Sequence, residues 1–136
     1  MKRIYTFGHE QVERNLTVGD IIQNKNNNKK MTQVTAANQE EAEIIAKENI
    51  DMIITGSDWY EDVRKGAPNT FITAALFAGR FITNEEILRG AFEVMMAGAD
   101  SVLTPRSFDV VEMLAKEGMQ VQGHVGMVPS MATKYG

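Results

Sequence analysis

Short apolar runs alternate with amphipathic stretches along most of this sequence, and this alternation restricts the possible fold more than any other feature. Met52-Ile53-Ile54 is apolar at every position, as expected of a parallel strand that is covered on both faces. Thr83-Asn84-Glu85-Glu86 is a helix capping box, and apolar residues follow it at the spacing of one helix face. Strands that alternate with helices in this way are typical of a parallel α/β sheet or barrel.

The pattern predicts five strands with helices between them. The predicted strands are residues 31–36, 52–54, 70–74, 101–103 and 120–123. The predicted helices run from about residue 39 to 48, 84 to 97 and 108 to 117, with one or two further turns within residues 59–65. Before the first strand, Thr17 is expected to cap a short helix that buries Ile21 and Ile22. The polar run 24–30 then predicts a solvated turn.

The sequence divides into an N-terminal arm and one α/β domain. Residues 1–16 are polar and mixed, and we expect an extended lead-in with His9 exposed to solvent. Residues 17–136 hold all five predicted strands. The sequence ends soon after the fifth strand, where an open sheet would expose two unpaired edges, which proteins avoid. We therefore expect either more chain beyond residue 136 or a partner copy to cover these edges.

Length and composition indicate a cytoplasmic protein that does not bind nucleic acid. The 136 residues suffice for one domain with its own core. The net charge of -4 argues against nucleic acid or an anionic membrane as the main partner. There is no cysteine, so neither disulfides nor thiolate chemistry can operate. The sequence shows neither the apolar core of a signal peptide nor an apolar run of membrane-spanning length.

Polar residues stand directly after several predicted strands, at the end of the sheet where α/β folds bind ligands. Ser57 and Asp58 follow the second strand, Arg106 follows the fourth, and His124 follows the fifth in a glycine-rich turn. An arginine at such a place can pair with a carboxylate through two parallel hydrogen bonds. Each of these residues could also be an ordinary turn or cap residue. Trp59, which follows Asp58, could line a pocket, but a lone aromatic residue after a strand usually packs in the core, and we expect it there.

Residues 118–130, GMQVQGHVGMVPS, resemble a motif of the ketopantoate hydroxymethyltransferase (3-methyl-2-oxobutanoate hydroxymethyltransferase) family. The resemblance continues upstream in the same order: residues 31–36 resemble the first barrel strand of the family, 50–58 the second, 66–69 the turn before the third, and 96–102 the fourth. It covers nearly the whole chain from about Thr17. It implies a (β/α)₈ TIM-type barrel of the phosphoenolpyruvate mutase and isocitrate lyase superfamily, of which this chain would form about the first half, strands 1–5.

The resemblance also implies a chemistry. The family transfers a hydroxymethyl group from methylenetetrahydrofolate to a 2-oxoacid, an aldol-type step of pantothenate biosynthesis. Mg²⁺ held by carboxylates would polarise the keto oxygen, and a carboxylate base would remove the adjacent proton. A small 2-oxoacid, methylenetetrahydrofolate and Mg²⁺ are the ligands that the resemblance implies. Further copies of the chain are expected separately, from the uncovered edges of the sheet.

The chain departs from the family pattern at the metal ligands. Ser57 takes the place of the first ligand and Asp58 follows it, although a shift by one residue turns a strand side chain to the other face. The remaining ligand, lysine and glutamate positions hold Ala75, Leu103 and Pro105. The family's general base belongs to the second half of the barrel. We therefore expect substrate contacts from His124, Ser57, Asp58 and Arg106, with Asp58 as the one possible metal ligand and no assigned catalytic residue.

Three functions follow from these observations and stay open. They are a hydroxymethyltransferase-like enzyme, a catalytically silent half-barrel that folds by oligomerising, and a lyase of the same superfamily. The loss of the ligand positions favours the silent half-barrel, and the motif around His124 favours an enzyme. The direction of carbon–carbon bond chemistry cannot be read from the residues, since an aldol step is reversible.

Overall fold

The computed structural model describes residues 1–135. The strands are β1 (Lys2–Tyr5), β2 (Gln11–Arg14), β3 (Gln33–Thr35), β4 (Met52–Gly56), β5 (Phe71–Ala75), β6 (Ser101–Thr104) and β7 (Val121–Gly123). The helices are α1 (Val18–Asn26), α2 (Gln39–Lys47), α3 (Tyr60–Gly66), α4 (Asn84–Met96), α5 (Phe108–Lys116) and a short α6 (Ala132–Tyr135), which follows a 3₁₀ turn at Pro129–Met131. None of the described helices is long and apolar enough to cross a membrane.

Strands β3 to β7 form one parallel sheet in the order of the sequence. Each strand is followed along the chain by a helix or, after β7, by the 3₁₀ turn. Within residues 1–135, β3 and β7 each pair with a neighbour on one side alone. This α/β arrangement confirms the predicted parallel sheet and is compatible with half of a TIM barrel.

The core lies between the sheet and its helices. Ile53 and Ile72, which pair across β4 and β5, and Val102 of β6 are fully buried. They belong to one apolar cluster with residues from every helix between α2 and α5, among them Ala42, Tyr60, Val63, Ile87, Ala91 and Leu114. The helix-facing side of each strand is therefore covered, which explains why the strands read as continuous apolar runs.

The other face of the sheet presents residues in rows, because paired positions of neighbouring strands point to the same side. One row holds Thr35, Ile54, Thr73 and Ser101, and the next row towards the carboxyl ends holds Gly56, Ala75, Leu103 and Gln122. Thr73 Oγ1 and Ser101 Oγ lie 2.7 Å apart and satisfy each other as a buried hydroxyl pair. Gly56, Ala75 and Leu103 of the second row form the floor of a cleft at the carboxyl ends of the strands.

The N-terminal segment, predicted as an extended arm, is a β-hairpin. β1 and β2 pair antiparallel, and His9 lies exposed in the turn between them with a φ of 64°. The residue after β2 fixes the hairpin to the sheet, since Asn15 Oδ1 accepts a hydrogen bond from the Phe71 N–H and Asn15 Nδ2 donates to the Asp51 carbonyl. The hairpin therefore covers the amino-terminal ends of the strands.

A buried ion cluster strengthens this closure. The two oxygens of Asp100 accept hydrogen bonds from Arg14 Nε and Arg64 Nη2, each at 2.7 Å, and Oδ2 also accepts from the Ile72 N–H. Arg14 is 3% exposed. Arg64 Nε donates to the Tyr60 hydroxyl at 3.0 Å, and other guanidinium N–H groups donate to backbone carbonyls, including those of Pro68 and Gly98. One carboxylate thus joins the hairpin, α3 and the start of β6.

Two predictions about the residues of helix α1 are wrong. It continues to Asn26, through part of the polar run that predicted a turn. Ile22 is 55% exposed and Ile21 is half-buried, so the predicted buried face does not form. The reason is that α1 lies beside the hairpin at the end of the sheet, where no described element covers the side that carries Ile22.

Because of the first turn of α1, the stability of the protein should depend on pH in the acidic range. Thr17 Oγ1 accepts from the Asp20 N–H while Asp20 accepts from the Thr17 N–H, and the Lys2 ammonium also donates to Asp20. These hydrogen bonds, first that from Lys2, lower the pKa of Asp20 from 3.8 to about 2. A lowered pKa means that this contribution is complete above the unfolded value and is lost as pH falls towards the folded value. As the pH falls from about 4 to about 2, the melting temperature of the wild type should therefore approach that of Asp20→Asn. A difference in melting temperature that stays constant over this range would contradict the prediction.

Candidate functional site

A cleft of about 460 Å³ opens at the carboxyl ends of the strands. Its floor is the row of Gly56, Ala75 and Leu103. Its walls come from the segments that follow β4, β5, β6 and β7, with Trp59, Phe77, Ala78, Gly79, Pro105, His124, Val128, Pro129 and Ser130. Parallel α/β folds bind ligands at this end of the sheet, and the volume lies in the range of small-molecule pockets.

Two aromatic rings close over the glycine of the floor. A Cβ atom at Gly56 would lie 3.1 Å from Phe77 Cε2 and 3.2 Å from Trp59 Cε3, so the absence of a side chain lets both rings approach. Trp59 is 46% exposed and Phe77 is 53% exposed. The expectation that Trp59 lies in the core is therefore wrong: its ring lines the cleft because the chain turns sharply after β4, where the Trp59 N–H donates to the Gly56 carbonyl.

His124 is the one sequence-predicted site residue that lines this cleft. Its backbone N–H donates to the Thr104 carbonyl at 3.3 Å, which extends the pairing of β7 with β6 by one residue and fixes the start of the turn. Gly126 then adopts a φ of 82°, a conformation that favours glycine. The half-buried imidazole makes no hydrogen bond to the described part of the chain, so its ring N–H is available to a ligand.

Ser57 and Asp58 lie at the rim but do not line the cleft. The Ser57 N–H donates to the Ala75 carbonyl and continues the pairing of β4 with β5. Asp58 is 58% exposed and forms an ion pair with Arg80 of the segment after β5. These two residues therefore connect the loops beside the cleft. Neither is among the residues that line the cleft with His124.

Arg106 is turned away from the cleft. Its guanidinium donates to the Phe81 carbonyl and to Asn84 Oδ1, at 3.4 and 3.1 Å. It lines a second, smaller cavity of about 250 Å³ that shares His124 with the cleft. The structure thus brings Arg106 and His124 together at this second cavity and not at the cleft.

The helix beside Arg106 already carries its own anionic cap. Glu86 lies in the first turn of α4 and accepts hydrogen bonds from the backbone N–H groups of Thr83 and Ile82. These hydrogen bonds, first that from Thr83, lower the pKa of Glu86, and the charge of Arg106 adds a smaller effect. The amino-terminal end of α4 is therefore satisfied within the chain.

The described residues do not by themselves fit a magnesium site. Among residues 1–135, no three histidine, aspartate or glutamate side chains lie close enough to share a metal ion. Asp58, the one ligand that the sequence suggested, already pairs with the arginine beside it. Mg²⁺ prefers an octahedron of oxygen ligands that includes carboxylates, and no carboxylate lines the described cleft.

Sequence reasoning missed the contribution of Phe77 to this site. Phe77 lies in the segment after β5 and lines the cleft. The one available signal was an aromatic residue shortly after a buried strand, which is weak, because aromatic residues at such places also pack in cores.

Two buried polar atoms near the cleft are left without a partner. Thr55 Oγ1 and Gln122 Oε1 make no hydrogen bond to the described residues. Gln122 lies in the row that forms the cleft floor, next to Leu103 in the register. An unpartnered buried acceptor is costly, so this part of the sheet face is suited to a hydrogen-bond donor from a ligand or from another segment.

Comparison with known proteins links this chain to one group of enzymes. No protein-family model matches it. A 3-methyl-2-oxobutanoate hydroxymethyltransferase from Deinococcus radiodurans is 40% identical over 80 residues, which are 54% of this chain and 28% of the relative. The enzymes of the same name from Geobacillus sp. (strain WCH70) and Klebsiella pneumoniae (strain 342) are 30% and 29% identical, over 83% and 82% of this chain and 50% and 52% of their own lengths.

These matches cover most of this chain in two of the three relatives but only part of each relative. The chain spans about half the length, or less, of the curated relatives that it matches. The parallel sheet and the position of His124 agree with the order of segments on which the sequence resemblance rests. The chain is therefore a diverged relative of the 3-methyl-2-oxobutanoate hydroxymethyltransferase family.

Proposed function

We propose that the chain forms the 2-oxoacid-binding half of a hydroxymethyltransferase-like (β/α)₈ barrel. Three facts support the proposal. The curated relatives carry the name of an enzyme that acts on 3-methyl-2-oxobutanoate. The cleft lies at the carboxyl ends of the strands. Its one imidazole belongs to the motif on which the resemblance rests.

His124 carries this proposal because it is the one imidazole among the described residues that line the cleft. A 2-oxoacid has a keto oxygen that accepts a hydrogen bond and an apolar remainder. The ring N–H of His124 donates to the keto oxygen, and the apolar remainder packs against Ile54, Leu103 and the two aromatic rings. Packing of this kind removes apolar area of the ligand from water, which favours binding.

The proposed reaction is the transfer of a one-carbon unit to the 2-oxoacid. Removal of a proton from the carbon next to the keto group gives an enolate, which attacks the methylene carbon of methylenetetrahydrofolate. Both C–N bonds of that carbon break, water supplies the hydroxyl oxygen, and tetrahydrofolate leaves with the proton taken from the 2-oxoacid and one proton from water. A hydrogen bond from His124 stabilises the negative charge that develops on the keto oxygen. The base is not assigned to residues 1–135, since no carboxylate lines the described cleft. We assign no metal-dependent step to the side chains of this chain.

The edges of the sheet point to an oligomeric protein. The outer edges of β3 and β7 are unpaired within the described residues, and exposed edges favour association with further strands. We propose a homo-oligomer in the cytoplasm, in which additional structure covers these edges and supplies the base.

Replacement of His124 by alanine should weaken binding of 3-methyl-2-oxobutanoate by about tenfold or more, since the keto oxygen then loses its donor. Trp59 is the single tryptophan of the sequence and lines the cleft, so its fluorescence reports binding directly. His9→Ala is the matched control, because His9 is exposed in the hairpin turn at the other end of the sheet. His124→Gln should restore part of the affinity. Equal affinity of wild type and His124→Ala would overturn the assigned role.

One observation favours a second function, a catalytically silent half-barrel that acts only as part of an assembly. The cleft wall within residues 1–135 offers no carboxylate as a base or metal ligand. A melting temperature that does not rise with the 2-oxoacid, either alone or together with Mg²⁺, would support this second function over the enzyme.

A further inference from the structure

The cleft that we propose for a 2-oxoacid lacks a partner for the carboxylate of that substrate. No lysine or arginine is among the cleft-lining residues of the described chain. An anion that enters an apolar cleft loses hydration, and this cost must be offset by a cation or by several N–H donors. The position of a suitable cation would therefore determine which ligands the cleft accepts.

Most arginines near the sheet are committed elsewhere. Arg14 and Arg64 share the buried carboxylate of Asp100 at the opposite end of the strands. Arg106 donates to a carbonyl and an amide oxygen beside α4. The hydrogen bonds of these three side chains hold them in place within the fold.

Arg80 differs because its partner is weakly held and its loop forms part of the cleft wall. It closes a turn through a hydrogen bond from its N–H to the Phe77 carbonyl, and Phe77, Ala78 and Gly79 all line the cleft. Its guanidinium lies 5.5 Å from the centre of the Phe81 ring, which orients the side chain. Its ion-pair partner Asp58 is as exposed as Arg80 itself, at 58% each.

We propose that Arg80 receives the carboxylate of the 2-oxoacid and that Asp58 holds the guanidinium in place until the substrate carboxylate replaces it. This inference rests on the proposed function of the same cleft. The exchange is favourable because an exposed ion pair contributes little, so its loss costs little. A planar guanidinium can bind the incoming carboxylate through two parallel hydrogen bonds. Asp58 is then a competitor that occupies Arg80 in the absence of substrate.

The test is a fluorescence titration of the whole chain at Trp59 with two ligands. The first ligand is 3-methyl-2-oxobutanoate, and the second is 3-methyl-2-butanone, which keeps the keto group and branched carbon chain but lacks the carboxylate. Arg80→Gln should bind the acid about ten- to a hundredfold more weakly than the wild type and should bind the ketone equally well. Arg89→Gln is the matched control, because Arg89 is 68% exposed on α4 and pairs there with Glu85.

A second variant examines the exchange itself. Asp58→Asn removes the charge that competes for Arg80, so it should bind the acid more tightly than the wild type, by a few-fold, and leave ketone binding unchanged. If the wild type binds the acid and Arg80→Gln binds it equally well, the role of Arg80 is overturned and the proposed function stands. If the wild type binds neither ligand, the proposed function fails together with this inference.

Discussion

Replacement of Asp100 by alanine should lower the free energy of unfolding by about 3–5 kcal/mol, the cost of removing one partner from a buried ion pair. The side chain of Asp100 is 6% exposed and accepts hydrogen bonds from two guanidinium groups. Without it, the guanidinium groups of Arg14 and Arg64 would keep backbone carbonyls and, for Arg64, the Tyr60 hydroxyl as partners, but would have no counter-charge. Such a loss is a large part of the stability of a typical domain, about 5–15 kcal/mol.

Urea denaturation of wild type and variant measures this effect. Asp62→Ala is the matched control, because Asp62 also pairs with a basic side chain but is 65% exposed. The control should change the free energy of unfolding by less than about 0.5 kcal/mol, as substitutions of exposed residues usually do. An Asp100→Ala variant as stable as the control would show that the cluster does not hold the hairpin and sheet together.

Replacement of Gly66 by alanine should destabilise the protein by about 1–3 kcal/mol, although alanine favours helices. Gly66 is the last residue of α3 and is buried against the start of α2. An added Cβ atom would lie 2.2 Å from the Gln39 carbonyl oxygen and 2.9 Å from the Ala42 Cβ. Because the first of these atoms belongs to the backbone, α2 as a whole would have to move away from α3.

Gly19→Ala tests the same substitution without the steric conflict. Gly19 lies in the first turn of α1, where an added Cβ would meet only Thr17 Oγ1, at 3.5 Å. This variant should be as stable as the wild type or more stable, by up to about 1 kcal/mol, since alanine is the better helix former. Thermal unfolding followed by circular dichroism compares the two variants. A Gly66→Ala variant that gains stability would contradict the close contact of α2 with α3.

The strands and helices of the parallel sheet could be predicted because their signals are local. Thr17, Asn38 and Thr83 cap helices in the structure as their sequence context indicates. The short helix between β4 and β5 was also predicted, from the few residues available between two apolar runs. Apolar runs and capping residues act within a few positions, so a single sequence suffices to recognise them.

The hairpin could not be predicted because its stabilising contacts are distant in the sequence. Arg14 reads as a surface residue of a polar arm, yet its counter-charge at Asp100 makes it one of the most buried side chains. The exposed position of Ile22 has the same origin, since it depends on what the hairpin leaves uncovered.

The candidate site was predictable at the strand ends and not in the loops. His124 follows β7 directly, and its place at the cleft follows from the parallel sheet alone. The positions of Asp58 and Arg106 depend on loop conformation, and each meets a partner from another loop or helix. The roles of Ser57, Asp58 and Arg106 in substrate binding stay predictions.

The Arg14–Asp100 contact constrains the order in which the parts of the protein can fold. The two residues are separated by 86 positions in the sequence. During synthesis the hairpin leaves the ribosome before the sheet, yet the carboxylate that neutralises its buried arginine is not available until most of the sheet has been made. The hairpin thus precedes the sheet in synthesis but is fixed in place after it, and closing so long a loop carries the entropic cost that makes distant contacts slow to form.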